Sequence, residues 1–257
     1  MSWKKKLLSK ISDGGDMEET TLPDHRSKVA TETVAVDDPR YQQFFEARER
    51  HWRSIGTLDE AVIAYIISPE FLGKPAWPTT RQAYRVIRTA HSFIIASDGL
   101  TDLFVDTNSE KPGFGTEVYI EVPDLAHADF DQIKRHWAFS LIPDFAAYVA
   151  HAGGIETQVE RLGLLSIEFP EPEGVPDTWL TERKSLGALI NVTIPDRPMD
   201  VDLGSGAKAL MIPLTILTAT ETKFVLENGA NGRVELARRL TDAGVGIRSD
   251  LSRESLV

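Results

Sequence analysis

The chain has 257 residues, of which 42% are hydrophobic and 26% charged, so it is long enough to bury a large core and has an ordinary globular composition. Its net charge of −11 opposes binding to a nucleic-acid duplex, because such binding needs basic side chains that neutralise phosphates, and it favours partners with a basic surface. The absence of cysteine excludes disulfides and thiolate metal sites and fits a reducing, cytoplasmic location.

Residues 1–36 are predicted to form a disordered leader. Its first part, residues 1–12, contains Lys4, Lys5, Lys6 and Lys10 beside a few large apolar side chains, so a contact of this basic tail with a membrane surface stays open. The tail is too short for a spanning helix or a signal sequence, and we expect no stable membrane insertion. Residues 12–36 are polar and carry too little apolar surface to fold.

The first predicted helix begins at Asp38 and Pro39, because Asp is a favourable N-cap and Pro is favourable in a first turn. An apolar stripe at helical spacing then extends to about residue 54 and comprises Tyr41, Phe44, Phe45, Arg48 and Trp52. Residues 61–68 are predicted to be a buried strand, with a short helix as the open alternative.

Residues 84–123 form the unit around which the chain is organised. Two runs rich in β-branched or aromatic residues, 86–89 and 93–97, are close enough in sequence to pair as a hairpin. The second run is apolar at four successive positions, which predicts an interior strand covered on both faces. Ser97-Asp98-Gly99 ends that strand with turn residues, and a long loop leads to a further strand at residues 116–122.

The second half of the chain predicts alternating helices and strands. Residues 129–152 have helical periodicity, and Pro143 within them predicts a kink or two abutting helices. Strands are predicted at residues 164–169, 186–194 and 209–217. Gly204-Ser205-Gly206 precedes the last strand and is predicted to be a hairpin turn, since a phosphate-binding loop would need a lysine directly after its second glycine and then a helix.

The C-terminal part is predicted to be helical. Thr218 and Glu221 have the spacing of a capping box, so a helix should run to about residue 228, and a second helix should occupy residues 232–243. Strands separated by helices and long loops predict an α/β (α+β) fold, with a mixed sheet flanked by helices. We expect one such domain at residues 37–257.

Several short motifs resemble the Suppressor of fused family, in particular its bacterial members. They are Trp77-Pro78 with Arg81, Ser97-Asp98-Gly99-Leu100-Thr101-Asp102, Gly113-Phe114-Gly115-Thr116-Glu117-Val118, the helix containing Trp137, and the terminal Arg253-Glu254-Ser255. The resemblance covers roughly residue 52 to the end. It implies an α/β sheet with flanking helices and a function in binding another protein. Eukaryotic members restrain transcription factors of Hedgehog signalling, and many bacterial members look like immunity proteins that neutralise secreted toxins.

The resemblance implies a partner-binding site in the central unit. The residues assigned to it are Ser97, Asp98, Gly99, Leu100, Thr101, Asp102, Asp106, Phe114 and Glu117. Three of the acidic residues recur every four positions, so the loop is predicted to present carboxylates to a basic partner. Turn capping by the same side chains is the simpler explanation, and coordination of a cation by their oxygens stays open.

Catalytic motifs are weak throughout the sequence. Ser97 lacks the G-x-S-x-G frame of a nucleophile elbow, and the histidines have no metal-ligand spacing, so we expect neither a metal nor a cofactor. The main hypothesis is therefore a non-enzymatic binding module, plausible as an immunity-type protein that sequesters a toxin. The alternative that stays open is a small-molecule hydrolase or transferase that uses Ser97, Asp98 and Asp102.

Overall fold

The computed structural model describes residues 38–65, 69–79, 82–104, 112–123 and 128–257. The predicted leader at residues 1–36 lies outside these ranges, so the division into a leader and one domain at residues 37–257 stays a prediction. Within the described ranges, no helix is both long enough and apolar enough to cross a membrane.

Five helices and nine strands are described. The helices are α1 (Pro39–Ile55), α2 (Phe130–Lys134), α3 (Trp137–Ala152), α4 (Glu156–Leu162) and α5 (Ala219–Asp242). The strands are β1 (Thr57–Leu58), β2 (Ile63–Ala64), β3 (Ala83–Arg88), β4 (Phe93–Asp98), β5 (Thr116–Val122), β6 (Leu165–Pro170), β7 (Ser185–Ile190), β8 (Asp200–Gly204) and β9 (Ala207–Ile216). Short 3-10 turns occupy Pro69–Leu72 and Asp177–Trp179.

The strands form one mixed sheet in the order β1-β3-β4-β5-β9-β7-β6, with β2 paired to β3 and β8 paired to β9. Strands β3, β4 and β5 are antiparallel neighbours, β5 and β9 are parallel, and the remaining pairs are antiparallel. The predicted fold class, a mixed sheet flanked by helices, is confirmed. The predicted hairpin of β3 with β4 and the interior position of β4 are also confirmed, as is the turn at Gly204-Ser205-Gly206, which joins β8 to β9.

Helices cover both faces of the sheet. On one face, α3 packs through Phe145 and Val149 against the strands, and on the other, α1 and α5 pack through side chains such as Trp52 and Leu240. Every residue of β4 and β5 is buried, because these strands have helices above and below them. The two strands that carry the predicted site are therefore interior strands.

Local capping chemistry decides where α1 begins. The Asp38 side chain accepts a hydrogen bond from Arg40 N at 2.8 Å, and Pro39 is the first helical residue, as predicted. The predicted stripe of α1 is buried at Tyr41, Phe44, Arg48 and Trp52, while Phe45 is half-buried. A charged residue thus occupies a core position of this helix.

The helical region at residues 129–152 divides at a different place from the one predicted. The break lies between α2 and α3 at Arg135 and His136, whereas Pro143 is buried inside α3. His136 is the N-cap of α3, and its Nδ1 accepts a hydrogen bond from Ala138 N at 3.3 Å. A capping side chain therefore starts the second helix, and the proline is accommodated within it.

The C-terminal segment is held by a buried ion pair. The capping box of Thr218 and Glu221 starts α5 as predicted, and Gly229, with a φ of 54°, interrupts the helix where the sequence predicts its end. Arg253 donates to both carboxylate oxygens of Glu221, at 2.7 and 2.6 Å, and its guanidinium lies 5.2 Å from the Trp179 ring. The terminal motif is therefore docked against the start of α5.

Trp137 supplies a test of the packing on the α3 face. It is 8% exposed and lies in the core with Ile133 and Leu141. Trp137→Ala should lower the free energy of unfolding by about 3–5 kcal/mol, because apolar burial is lost and a cavity is left. Phe71→Ala is the control, since Phe71 is exposed and should change stability by less than about 0.5 kcal/mol in the same denaturant titration. Equal stability of the two variants would place the Trp137 face outside the core.

Candidate functional site

A buried arginine from α1 meets the predicted site. Arg48 is 2% exposed. It donates from Nε to Asp98 Oδ1 at 2.9 Å, from Nη1 to Thr101 Oγ1 at 3.1 Å and from Nη2 to Asp102 Oδ1 at 2.7 Å. All three nitrogens of the guanidinium therefore bind the end of β4 and the turn that follows it.

Glu117 in β5 holds the same turn from the other side. Its Oε1 accepts hydrogen bonds from the backbone N–H groups of Gly99 at 3.1 Å and Thr101 at 3.0 Å, and from the Thr101 hydroxyl at 2.7 Å. Its Oε2 accepts a hydrogen bond from Ser97 Oγ at 2.5 Å, and Oε1 lies 3.9 Å from Arg48 Nε. One fully buried carboxylate thus satisfies several donors of the turn after β4.

Further polar side chains surround the two aspartates. Thr79 Oγ1 donates to Asp102 Oδ2 at 3.1 Å. Arg85 in β3 has Nη1 3.8 Å from Asp98 Oδ2, and its Nη2 donates to Glu49 Oε1 at 2.8 Å. The strand β3, the helix α1 and the turn after β4 are therefore joined by one continuous polar network.

We call Arg48, Asp98, Asp102 and Glu117 the ion cluster. Burial raises the pKa of Asp102; Arg48 opposes this effect, and the charge of Asp98 adds to it. Burial likewise raises the pKa of Glu117 against the opposing effect of Arg48. Burial alone would lower the pKa of Arg48, but Asp102, Asp98 and Glu117 together raise it above its ordinary value. Three carboxylates thus lie around the Arg48 guanidinium, and Arg85 lies close to one of them, Asp98.

The Gly-Phe-Gly block packs directly on the turn that Glu117 holds. Phe114 N donates to Leu100 O at 2.8 Å. Gly113 has a φ of +40°, and a Cβ there would lie 2.3 Å from Leu100 O and 2.5 Å from Asp102 O. A side chain at this position would therefore separate the two motifs. Their close approach explains why both belong to one structural unit.

The structure brings the predicted site residues together and buries them. The buried residues are Ser97, Asp98, Gly99, Leu100, Thr101, Asp102, Phe114 and Glu117. Asp106 lies outside the described residues. The carboxylates of Asp98 and Asp102 bind Arg48 rather than facing solvent. In this arrangement they stabilise the end of β4 and the turn that follows it. A role of these residues in partner binding stays a prediction.

The geometry around Ser97 does not resemble a catalytic site. Ser97 is fully buried, its Oγ donates to Glu117, and the same oxygen accepts a hydrogen bond from Val118 N at 2.9 Å. An open cleft of about 300 Å³ lies between Glu121, Arg197 and Arg248, and Ser97 does not line it. Among the described residues, no group of His, Asp and Glu has the arrangement of a metal site. The ion cluster therefore links α1, β4 and β5 inside the fold.

The comparisons with known proteins return only distant similarity. No protein-family model matches the chain, and no curated protein matches it. The chain is similar to "the Sufu-Fu complex crystal structure", with 12% identity and a TM-score of 0.46 over 85% of this chain and 92% of that one. It is also similar to the crystal structure of Drosophila Suppressor of fused, with 12% identity and a TM-score of 0.39 over 76% of this chain and 42% of that one. Similarity this distant assigns no function to the chain.

Sequence reasoning identified the acidic side of the ion cluster and missed its basic side. Arg48 was predicted to belong to the apolar stripe of α1, with no partner assigned to it. Its position was the available signal: a charged residue in the register of Phe44 and Trp52 must be buried, and a buried guanidinium needs carboxylates nearby. The partner Asp98 lies 50 residues further along the chain, where no local pattern connects it to α1.

The contribution of the ion cluster can be measured at Arg48. Arg48→Met should lower the free energy of unfolding by about 3–5 kcal/mol, because three buried carboxylates lose their shared cation. Arg53→Met on the same helix is the matched control, since that side chain is 57% exposed and should change stability by less than about 0.5 kcal/mol. Denaturant titration of the two variants gives the difference. An unchanged free energy of unfolding in Arg48→Met would show that the ion cluster does not stabilise the fold.

Glu117→Gln tests the raised pKa. Because the folded-state pKa of Glu117 is above its ordinary value of 4.5, this carboxyl contributes stability that is fully present below pH 4.5 and lost as the pH rises through the folded-state value. The stability advantage of the natural chain over Glu117→Gln should therefore shrink as the pH is raised from 4.5 towards neutrality in denaturant titrations.

A control with the opposite sign is available for this pH dependence. Hydrogen bonds from Arg238 and Arg239 lower the pKa of Glu235 to about 2. The stability advantage of the natural chain over Glu235→Gln should therefore be lost as the pH falls. If the stability advantage of the natural chain over Glu117→Gln grew with rising pH, the effect of Arg48 would outweigh that of burial, and the pKa of Glu117 would be lowered.

Proposed function

We propose that the chain is a non-enzymatic module that binds another protein. The observation that carries this proposal is the closed state of the ion cluster: the acidic and hydroxyl groups that a reaction would need are buried and bound to one another. The motif resemblance to Suppressor of fused proteins supports the same function. The alternative hydrolase or transferase built on Ser97, Asp98 and Asp102 is not favoured, since their side chains are already engaged inside the fold.

The predicted site residues enter this proposal through the loop that they hold. Asp98 is the last residue of β4, Asp102 follows that strand, and Glu117 lies near the start of β5, so the ion cluster includes residues from both ends of the connecting loop. We propose that the cluster fixes both ends of this loop and that the loop, including Asp106, contacts the partner. Loops held by a rigid scaffold are common places for recognition.

The partner is proposed to have a basic surface. A net charge of −11 steers positively charged proteins towards the chain and opposes the approach of acidic ones. A cytoplasmic location and the finer function, an immunity-type protein that neutralises a toxin, are proposed as well. The immunity function and the bacterial origin have their support in the motif resemblance, and a toxin gene beside the gene for this chain would strengthen both.

Purification from the cells that make the chain tests the proposed function. A tagged full-length chain should elute with a protein partner in a fixed ratio, measured by size-exclusion chromatography with light scattering. The affinity for a basic partner should fall as salt is added, because screening weakens attraction between opposite charges.

The alternative makes a different prediction in the same preparation. A chain that elutes without a partner, but turns over a small substrate in a broad screen, would contradict the proposal. Loss of that turnover in Ser97→Ala would then favour the hydrolase or transferase.

A further inference from the structure

The 3-10 turn Pro69–Leu72 carries the two most exposed large apolar side chains of the described residues. Phe71 is 76% exposed and Leu72 is 78% exposed, and they are adjacent in sequence. Single exposed apolar residues are ordinary on protein surfaces, whereas neighbouring ones mark interaction sites more often. Tyr65 is a third exposed apolar side chain close by in the sequence.

The turn is held in place by hydrogen bonds. Gly73 N donates to Glu70 O at 2.9 Å, and Lys74 N donates to Pro69 O at 3.1 Å. Lys74 Nζ also donates to Asp144 Oδ1 at 3.3 Å, which ties the end of the turn to α3. Phe71 and Leu72 are therefore presented on a hydrogen-bonded turn, which lowers the ordering entropy that is lost when a partner binds them.

Tyr65 packs, through Tyr84, on the same helix to which Lys74 is bound. Its ring lies edge-on against Tyr84 with centroids 6.2 Å apart, and Tyr84 in turn packs against Phe139 of α3. We call the adjacent side chains Phe71 and Leu72 the apolar patch.

We propose that the apolar patch is the docking surface for a protein partner whose contact surface is an apolar pocket bordered by Lys and Arg. The inference rests on the proposed protein-binding function and adds the surface that performs it. Glu70 precedes Phe71 in the turn and is exposed, so a basic side chain at the edge of the pocket would meet its carboxylate, whereas Asp144 is paired with Lys74. The net charge of −11 opposes a second copy of the chain as the occupant.

A random-peptide display library selected against the full-length chain is the probe. Enriched peptides should combine aromatic or aliphatic residues with Lys or Arg. Their dissociation constants should rise at least tenfold for a Phe71→Ser, Leu72→Ser double variant, a change of about 1.4 kcal/mol, because central apolar anchors dominate binding. The control is a Leu226→Ser, Val234→Ser double variant, which removes two exposed apolar side chains of α5 and should leave the affinity unchanged.

Stability and self-association complete the test. Both double variants should keep the melting temperature of the natural chain, because all four side chains are exposed. Peptides that bind the Phe71→Ser, Leu72→Ser variant with unchanged affinity would overturn the inference. A dimer seen in sedimentation velocity that this variant converts to a monomer would also overturn it and assign the patch to a second copy.

The co-purified partner separates this inference from the proposed function. Weaker binding of that partner to the Phe71→Ser, Leu72→Ser variant supports both. Unchanged binding would overturn the apolar patch as the docking surface and leave the protein-binding function intact. The absence of any partner in a fixed ratio would overturn the proposed function and the inference together.

Discussion

The guanidinium of Arg48 is the point on which the central part of this fold depends. It joins α1 to the end of β4 and the turn that follows, and each of its nitrogens binds a different side chain there. A buried charge is stable only when its partners are placed around it, so the position of the helix and the conformation of the turn determine each other. Glu117 extends this coupling to β5 through the same turn.

A buried arginine–carboxylate pair also holds the C-terminal segment. Arg253 binds the buried Glu221 with both terminal nitrogens, and Glu221 also accepts hydrogen bonds from the backbone at Thr218 and Leu256. In both places a carboxylate at the start or end of an element holds a segment that is distant in sequence. The motifs that resemble Suppressor of fused proteins include Asp98, Asp102 and Arg253. These residues therefore stabilise the fold, in addition to any functional role.

The motif residues are engaged inside the fold, so any function of the chain depends on its surface. The interior of the site is closed, because its hydroxyl and carboxylate groups are bound to one another and to Arg48. The proposed recognition of a partner uses the loop between β4 and β5, the net negative charge of the chain and the apolar patch rather than this closed interior.

The sequence by itself determined those features that local chemistry decides. The cap at Asp38, the capping box at Thr218 and the apolar run of β4 each act through neighbouring residues, and each was predicted where the structure has it. The tertiary structure alone decided the direction in which Asp98 and Asp102 face. The sequence Ser-Asp-Gly predicts a turn whether its carboxylate faces water or binds an arginine, and that arginine comes from a helix 50 residues earlier.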